Sequence, residues 1–253
     1  MYGLGSQRGK RIEDITGMDL RYYYGAMREQ RGIKMSTMQT RLHYLSSFWD
    51  FLITEELVHS NPVKKVGLIK LEKTIKKPFS AEEMEALRVN CSNLRDRALA
   101  EFLYSTGVRV SELVALNVGD IEMGKQELIV YGKGSKERKT YLTDSAKFYL
   151  RRYLQTRKQD GLNNQPLFVT LDQPYDRLTV AGVQYMLRQL GRRAGVKNTH
   201  PHRFRRTITT DLLARGMKIE EVKEFLGHEK LDTTMIYCTI KEKNVQASHR
   251  KYA

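Results

Sequence analysis

The sequence predicts a mainly α-helical protein with a small antiparallel β-sheet, divided into a helical N-terminal domain and a larger α+β domain. Three observations lead there. Apolar residues recur at three- and four-residue spacing through most of the chain, often just behind helix-start signals. The period switches to that of strands only at residues 127–142. A lysine-dense stretch bounded by Pro62 and Pro78 separates the two helical blocks.

Taken in order, the glycine-rich, basic first ten residues carry no periodicity and read as an arm. A helix is expected over residues 20–30, stopped by Gly32. Ser36 with Gln39 reads as a capping box, in which each side chain bonds the other residue's backbone N–H. Behind it Met38, Leu42, Leu45, Trp49, Leu52 and Ile53 form the buried stripe of a long amphipathic helix. Arg41, His43 and Tyr44 fall on its other faces, open to phosphates or to water. After Asn61-Pro62 come Lys64, Lys65, Lys70, Lys73, Lys76 and Lys77, so the chain divides as 1–69, a basic linker at 70–78, and 79–253. Ser80 with Glu83 is a second capping box and opens a helix through about Arg88.

Helices are further expected over residues 94–105, ending at Thr106-Gly107, and over 108–116. Residues 127–131 and 138–142 read as two strands joined by the turn Gly132-Lys133-Gly134-Ser135-Lys136. Helices resume at 145–158 and 179–195, flanking a loop marked by Pro166 and Pro174. Two more follow, one from Pro201 and one over 218–226 with Gly227 past its end.

The 253 residues carry 44 Lys and Arg against 29 Asp and Glu, a net charge of +15, and a pI near 9.7. An excess of that size points to a polyanionic partner, most often nucleic acid. No apolar run approaches the ~18 residues of a membrane span, and the N-terminus lacks the apolar core of a signal peptide. Cys91 and Cys238 lie far apart with no CxxC spacing, as expected of reduced thiols in a cytoplasmic protein.

The residues able to carry chemistry have plain structural explanations when taken singly. Arg109 follows a glycine turn with Glu112 at i+3, a spacing that lets the carboxylate orient the guanidinium but also describes a surface ion pair. Lys133 lies between two glycines at a hairpin tip, where it could enter a cleft or simply face water. His202 and Arg205 share one face of a helix whose N-terminus favours a phosphate. His200 and His202 could instead ligate a metal, though no carboxylate or cysteine stands at ligand spacing. His228 follows the stop at Gly227, and Tyr237, one of 14 tyrosines, would be presented by a short helix capped by Asp232.

The order Arg109, Lys133, His202-x-x-Arg205, Gly227-His228, Tyr237 resembles the tyrosine recombinase (phage integrase) family. The local segments resemble that family's boxes as well. They are TGVRVSELVALNVGDI at 106–121, GKGSKER at 132–138, PHRFRRTITTDLLARG at 201–216 and LGHEKLDTTMIY at 226–237. The resemblance is strong from Ser80 to the end and looser over residues 36–62, and is greatest to small Xer-type and integrative-element enzymes.

The resemblance implies a helical core-binding domain at 1–69, shorter than many of its kind, and a catalytic domain at 79–253. It assigns Arg109 and Arg205 to the scissile phosphate, Lys133 as general acid at the leaving 5′ oxygen, and His202 to proton transfer at the tyrosine. His228 would hydrogen-bond the phosphate, Glu112 would orient Arg109, and Tyr237 would be the nucleophile, forming a 3′-phosphotyrosyl link. No cofactor and no metal are implied. Candidate DNA contacts are Arg41, Lys76, Lys77, Lys136, Arg138, Arg203 and Arg206.

The implied activity is site-specific recombination of duplex DNA through a Holliday junction, for dimer resolution or for element integration and excision. Its implied partners are a double-stranded recombination site and further copies of the chain, a dimer on one site and a tetramer in synapsis. Accessory DNA-bending or directionality factors would join them, and no membrane. One departure is Arg206, which stands where the family often has histidine and is expected to alter a local hydrogen bond without abolishing activity. The basic tail at 245–253 would dock on a neighbouring subunit. Rival readings are a type IB topoisomerase, with similar chemistry but no junction, and a non-catalytic DNA-binding regulator on the same scaffold.

Overall fold

In a computed structural model of the chain, residues 9–67, 77–122, 124–125, 127–132, 137–157 and 165–227 are described. The chain divides into two compact units, Met1–Thr74 and Ile75–Ala253.

In the first unit, α1 (Gly17–Arg31) and α2 (Met35–Thr54) precede a 3-10 turn at Pro62–Lys65. Helix α1 starts three residues before the expected position. Its N-cap is Thr16, whose side chain and that of Asp19 bond each other's backbone N–H, and it ends on Gly32 in the left-handed region. Helix α2 corrects the expectation at Ser36, which lies inside the first turn; Lys34 is the N-cap and makes no side-chain cap bond. Ile33 and Met35 pack on the unit's core, and their burial outweighs a cap worth about 1 kcal/mol. The expected stripe is the core: Met38, Leu42, Trp49 and Leu52 pack with Leu20, Tyr24, Val58 and Val63. Asn61 ties the turn to α2, its amide donating to the Ser46 carbonyl and to Asp50 at 3.0 Å each, its oxygen accepting from the Val63 N–H.

The second unit is built around α4 (Leu94–Thr106), preceded by α3 (Ala81–Val89) with the expected Ser80–Glu83 capping box. Helix α4 is buried on nearly every side, through Ala98, Leu99, Ala100, Phe102 and Leu103. Its buried Glu101 is paired with Arg88 and Arg97. Helix α5 (Val110–Ala115) follows at once, then the antiparallel hairpin β1 (Glu127–Tyr131) and β2 (Glu137–Tyr141), with Val130 opposite Arg138. The second strand begins one residue earlier than expected. It is fastened to the end of α4, because Thr140 donates to the Thr106 carbonyl at 2.7 Å and Ser105 to the Tyr141 carbonyl at 3.0 Å.

Helices α6 (Asp144–Thr156), α7 (Val180–Arg193), α8 (Pro201–Ala214) and α9 (Ile219–Leu226) follow among the described residues of the unit. The proline-marked loop holds two isolated bridges that were not expected, Asn117 with Pro166 and Val169 with Arg177. Leu150, Leu187, Leu190, Phe168 and Phe204 close the core over α4. A smaller cluster of Ile208, Leu213, Val222, Phe225 and Leu226 joins α8 to α9. Among the described residues no helix is long and apolar enough to cross a membrane. Burial pushes the half-buried Cys91 thiol up to about 11, which fits an inert packing cysteine.

Candidate active site

Two helix ends and one helix start converge in the second unit. Helix α4 ends on Gly107 at φ 58°, and that left-handed turn delivers Arg109 to the N-cap of α5. Arg109 donates from Nη1 to Glu112 Oε1 at 2.9 Å and from its backbone N–H to Glu112 Oε2 at 2.7 Å, so the carboxylate fixes both main chain and side chain. The i, i+3 orientation expected of Glu112 is therefore present. Burial alone would raise the Glu112 carboxyl, but hydrogen bonds from Arg138 and from Arg109, with the Arg138 charge, outweigh it and hold the group below the usual carboxylate range.

Arg205 projects from the first turns of α8 and is only 4% exposed. Its Nη1 donates to the Gly107 carbonyl at 2.5 Å and its Nη2 to the Leu226 carbonyl at 2.6 Å. Arg109 Nη2 donates to the next carbonyl, Gly227, at 3.3 Å. Arg138 Nε donates to the preceding one, Phe225, at 3.2 Å. Three consecutive carbonyls at the end of α9 thus hold three different guanidiniums. Those carbonyls are the orphan acceptors of a helix C-terminus, where the macrodipole favours cations.

His202, at the exposed start of α8, lies with its ring 6.5 Å from that of His200 and edge-on to it. Beside them runs a groove of about 860 Å³ lined by Gln184, Arg188, Arg192, Lys197 and Asn198 among others. Arg188 and Arg192 stand at i, i+4 on the solvent face of α7, opposite its buried stripe of Val183, Leu187 and Leu190. Sequence reasoning passed over these two; the spacing of cations against an apolar stripe was the signal available. No group of three or more metal-ligating side chains occurs among the described residues.

Among the expected site residues, Arg109, Glu112, Arg205 and His202 belong to this region. Lys133, His228 and Tyr237, with Lys76 and Lys136, lie outside the described residues, as do most of the expected linker, the expected helix capped by Asp232 and the tail. Arg41 is exposed on α2 and Lys77 is exposed before α3.

Two of the candidate DNA contacts, Arg203 and Arg138, are turned inward onto protein partners. The Arg203 guanidinium stacks 4.1 Å from the centre of the Phe79 ring and bonds Glu83 at 2.6 Å, with further bonds to the Lys197 and Pro78 carbonyls. Arg138, with its side chain 8% exposed, forms a two-pronged bridge to Glu112 at 2.8 Å per prong. In both cases a carboxylate brought close by the fold offers the fork a matched acceptor; for Arg138 that carboxylate, Glu112, is itself buried and costly to leave unpaired. Arg206 donates to the Lys77 carbonyl at 3.1 Å, so the chain leading into α3 is bonded to α8 at this departure from the family pattern.

Gly227 closes α9 at φ 63°, and a Cβ there would lie 2.6 Å from Arg138 Cδ. Gly227→Ala is expected to destabilise the protein by about 1–3 kcal/mol, from left-handed strain plus the clash. A urea titration measures this, and a midpoint equal to wild type would contradict the packing described.

The phage integrase family model matches residues 63–244. The chain is 34% identical over 248 residues to tyrosine recombinase XerC of Leptospira interrogans, covering 95% of this chain and 79% of the relative. To XerC of Bacillus licheniformis it is 34% identical over 253 residues, covering 96% and 83%. The crystal structure of XerA recombinase superposes with a TM-score of 0.62 at 26% identity, covering 96% of this chain and 86% of that one. XerH site-specific recombinase bound to palindromic difH substrate has the same fold, with a TM-score of 0.77 at 19% identity over 94% and 72% of the two chains. A converging arginine pair, a helical fold with one small hairpin and relatives of this kind lead to one conclusion: the chain belongs to the phage integrase family and is a tyrosine recombinase, an enzyme of site-specific recombination that cleaves and rejoins DNA.

Proposed function

We propose that Arg109 and Arg205 clamp the scissile phosphate of a duplex recombination site while Tyr237 attacks it. The tyrosine oxygen bonds to phosphorus, the bond to the 5′ oxygen breaks, and a 3′-phosphotyrosyl link forms. The tyrosine proton leaves toward His202, and Lys133 protonates the departing 5′ oxygen. Attack by a 5′-hydroxyl of the exchanging strand reverses these steps, and two such rounds pass through a Holliday junction. The ester energy is kept in the covalent link, so the exchange needs no nucleotide cofactor. Arginine forks suit the task because they donate paired hydrogen bonds to non-bridging oxygens and oppose charge developing in the transition state.

The observation that carries this assignment is the arginine convergence: Arg109 and Arg205 bond consecutive carbonyls, Gly227 and Leu226, immediately before His228 in the chain. In this proposal residues 1–69 and 79–253 grip the duplex as two domains joined by the basic linker 70–78, and the cationic groove of α7 takes part of the backbone. The protein works in the cytoplasm, as a dimer on one site and a tetramer in synapsis, with the tail at 245–253 docking on a neighbour and accessory DNA-bending or directionality factors assisting.

Its test is adduct formation on a nicked duplex carrying the target site, resolved by denaturing electrophoresis. A wild-type protein that leaves no covalent adduct on a duplex it binds would refute the assignment. A second expected result concerns affinity. With +15 net charge, log K should fall with log salt at a slope of about −5 or steeper, since each neutralised phosphate contributes about −0.9. Fluorescence anisotropy at several salt concentrations measures the slope, and a flat profile contradicts phosphate-dominated binding.

A further inference from the structure

Glu112 is surrounded by donors. Its side chain is 3% exposed, and its two oxygens accept four hydrogen bonds, two from Arg109 and two from Arg138. The two guanidiniums differ in what else they face. The Arg109 side chain is 37% exposed, whereas that of Arg138 is 8% exposed and also donates from Nε to the Phe225 carbonyl. A trio of two cations and one anion therefore carries one net positive charge, and Arg109 is the member that displays it.

A carboxylate that orients an arginine also cancels much of its field, since an opposite charge at hydrogen-bond distance offsets the attraction felt by a third group. An arginine meant to bind a phosphate would be weakened by its own support. A second, buried arginine on the far side of the carboxylate removes that conflict without competing for the substrate.

We infer that Arg138 is a positioning residue that neutralises Glu112, leaving the oriented Arg109 with its full positive charge for the scissile phosphate. This rests on the assignment of Arg109 to that phosphate. The site in β2 suits the role: Arg138 is held opposite Val130 in the hairpin and bonds the last turn of α9, so one side chain links the hairpin, α5 and α9. It also explains why the residue after α9 is glycine, since a Cβ at Gly227 would strike Arg138.

The experiment compares single-turnover adduct formation on two nicked duplexes, one with the ordinary scissile phosphate and one with a neutral methylphosphonate there. Arg138→Gln should slow cleavage of the phosphate by about 10–100-fold, less than the loss of a direct donor to the transition state. On the methylphosphonate, which asks less of Arg109, the loss should stay below about threefold on the same electrostatic ground. Arg138→Lys, which keeps the charge without the fork, should fall between wild type and Arg138→Gln. The double variant Glu112→Gln with Arg138→Gln restores the net charge of the trio and should cleave the phosphate faster than Arg138→Gln alone. If Arg138→Gln does not fold, as circular dichroism would report, Arg138→Lys and the double variant decide, since both leave the net charge of the trio at its wild-type value: a loss on the phosphate no greater than that on the methylphosphonate supports the role, and a selective loss on the phosphate overturns it.

Equal losses on both substrates overturn it, as does a double variant no faster than the single. So does duplex affinity falling in step with rate, which would make Arg138 a DNA contact. Arg109→Gln separates the two levels. Selective loss on the phosphate in Arg109→Gln but not in Arg138→Gln refutes only the role of Arg138. Equal loss on both substrates in Arg109→Gln refutes the phosphate assignment, and the role of Arg138 falls with it.

Discussion

Tyr237→Phe should abolish the covalent DNA adduct, lowering its rate by at least ~10⁴-fold, the scale on which loss of a nucleophile is felt. The substitution removes one oxygen and leaves the ring, so packing and duplex affinity should stay within about twofold of wild type, since backbone contacts dominate binding. A phenol with an ordinary pKa near 10 is a poor nucleophile at neutral pH. Its activation depends on a base and on cationic surroundings, and in the proposed site the arginines that converge at the end of α9 would supply the second. The wild-type adduct should form in EDTA, because tyrosine, arginine, lysine and histidine carry every step assigned. With 14 tyrosines in the chain, peptide mapping of the adduct gives a sharper answer than its mere presence. An adduct that persists in Tyr237→Phe, or maps to another tyrosine, sinks the assignment.

Tyr237 shows one kind of legibility: by itself it is a tyrosine among many, and only the order of boxes around it singles it out. Helix starts were legible where local chemistry decides, as at Ser80–Glu83, whose capping box forms as read. They were misread where tertiary packing decides, as at Ser36, overridden by the burial of Ile33 and Met35. The hairpin was legible because the period of apolar residues changes from helix to strand there. The partners of Arg138 and Arg203 were not, since nothing local separates an arginine bound for water from one bound for a carboxylate distant in the chain. Those partners lie 26 and 120 residues away, at Glu112 and Glu83, and pairing at that range is a property of the fold. The groove of α7 was missed for a related reason: Arg188 and Arg192 acquire meaning only when the start of α8 is brought beside them.

Arg205 combines both kinds, a motif residue whose full work appears only in three dimensions, and its replacement should cost stability as well as activity. The guanidinium is 4% exposed and spans the Gly107 and Leu226 carbonyls, the C-terminal ends of α4 and α9. Arg205→Ala leaves two helix-end carbonyls without this donor, each worth about 1–3 kcal/mol when buried and unsatisfied. A loss of about 3 kcal/mol is therefore expected in the unfolding free energy. Adduct formation should fall by at least ~10³-fold, as when a principal donor to the transition state is removed. Arg205→Lys separates the two effects. An ammonium keeps the favourable charge at the end of α9 but cannot bridge both carbonyls in one plane while presenting a fork to phosphate. Stability should return by about half, since one of the two carbonyls regains a donor. The cleavage defect should remain about 10²-fold or more. Unfolding in urea should be followed by near-UV ellipticity, because the single tryptophan, Trp49, belongs to the other unit. If Arg205→Lys regains stability and cleaves at nearly the wild-type rate, positive charge alone serves the phosphate. If neither substitution lowers the midpoint, the bridge between α4 and α9 holds nothing together.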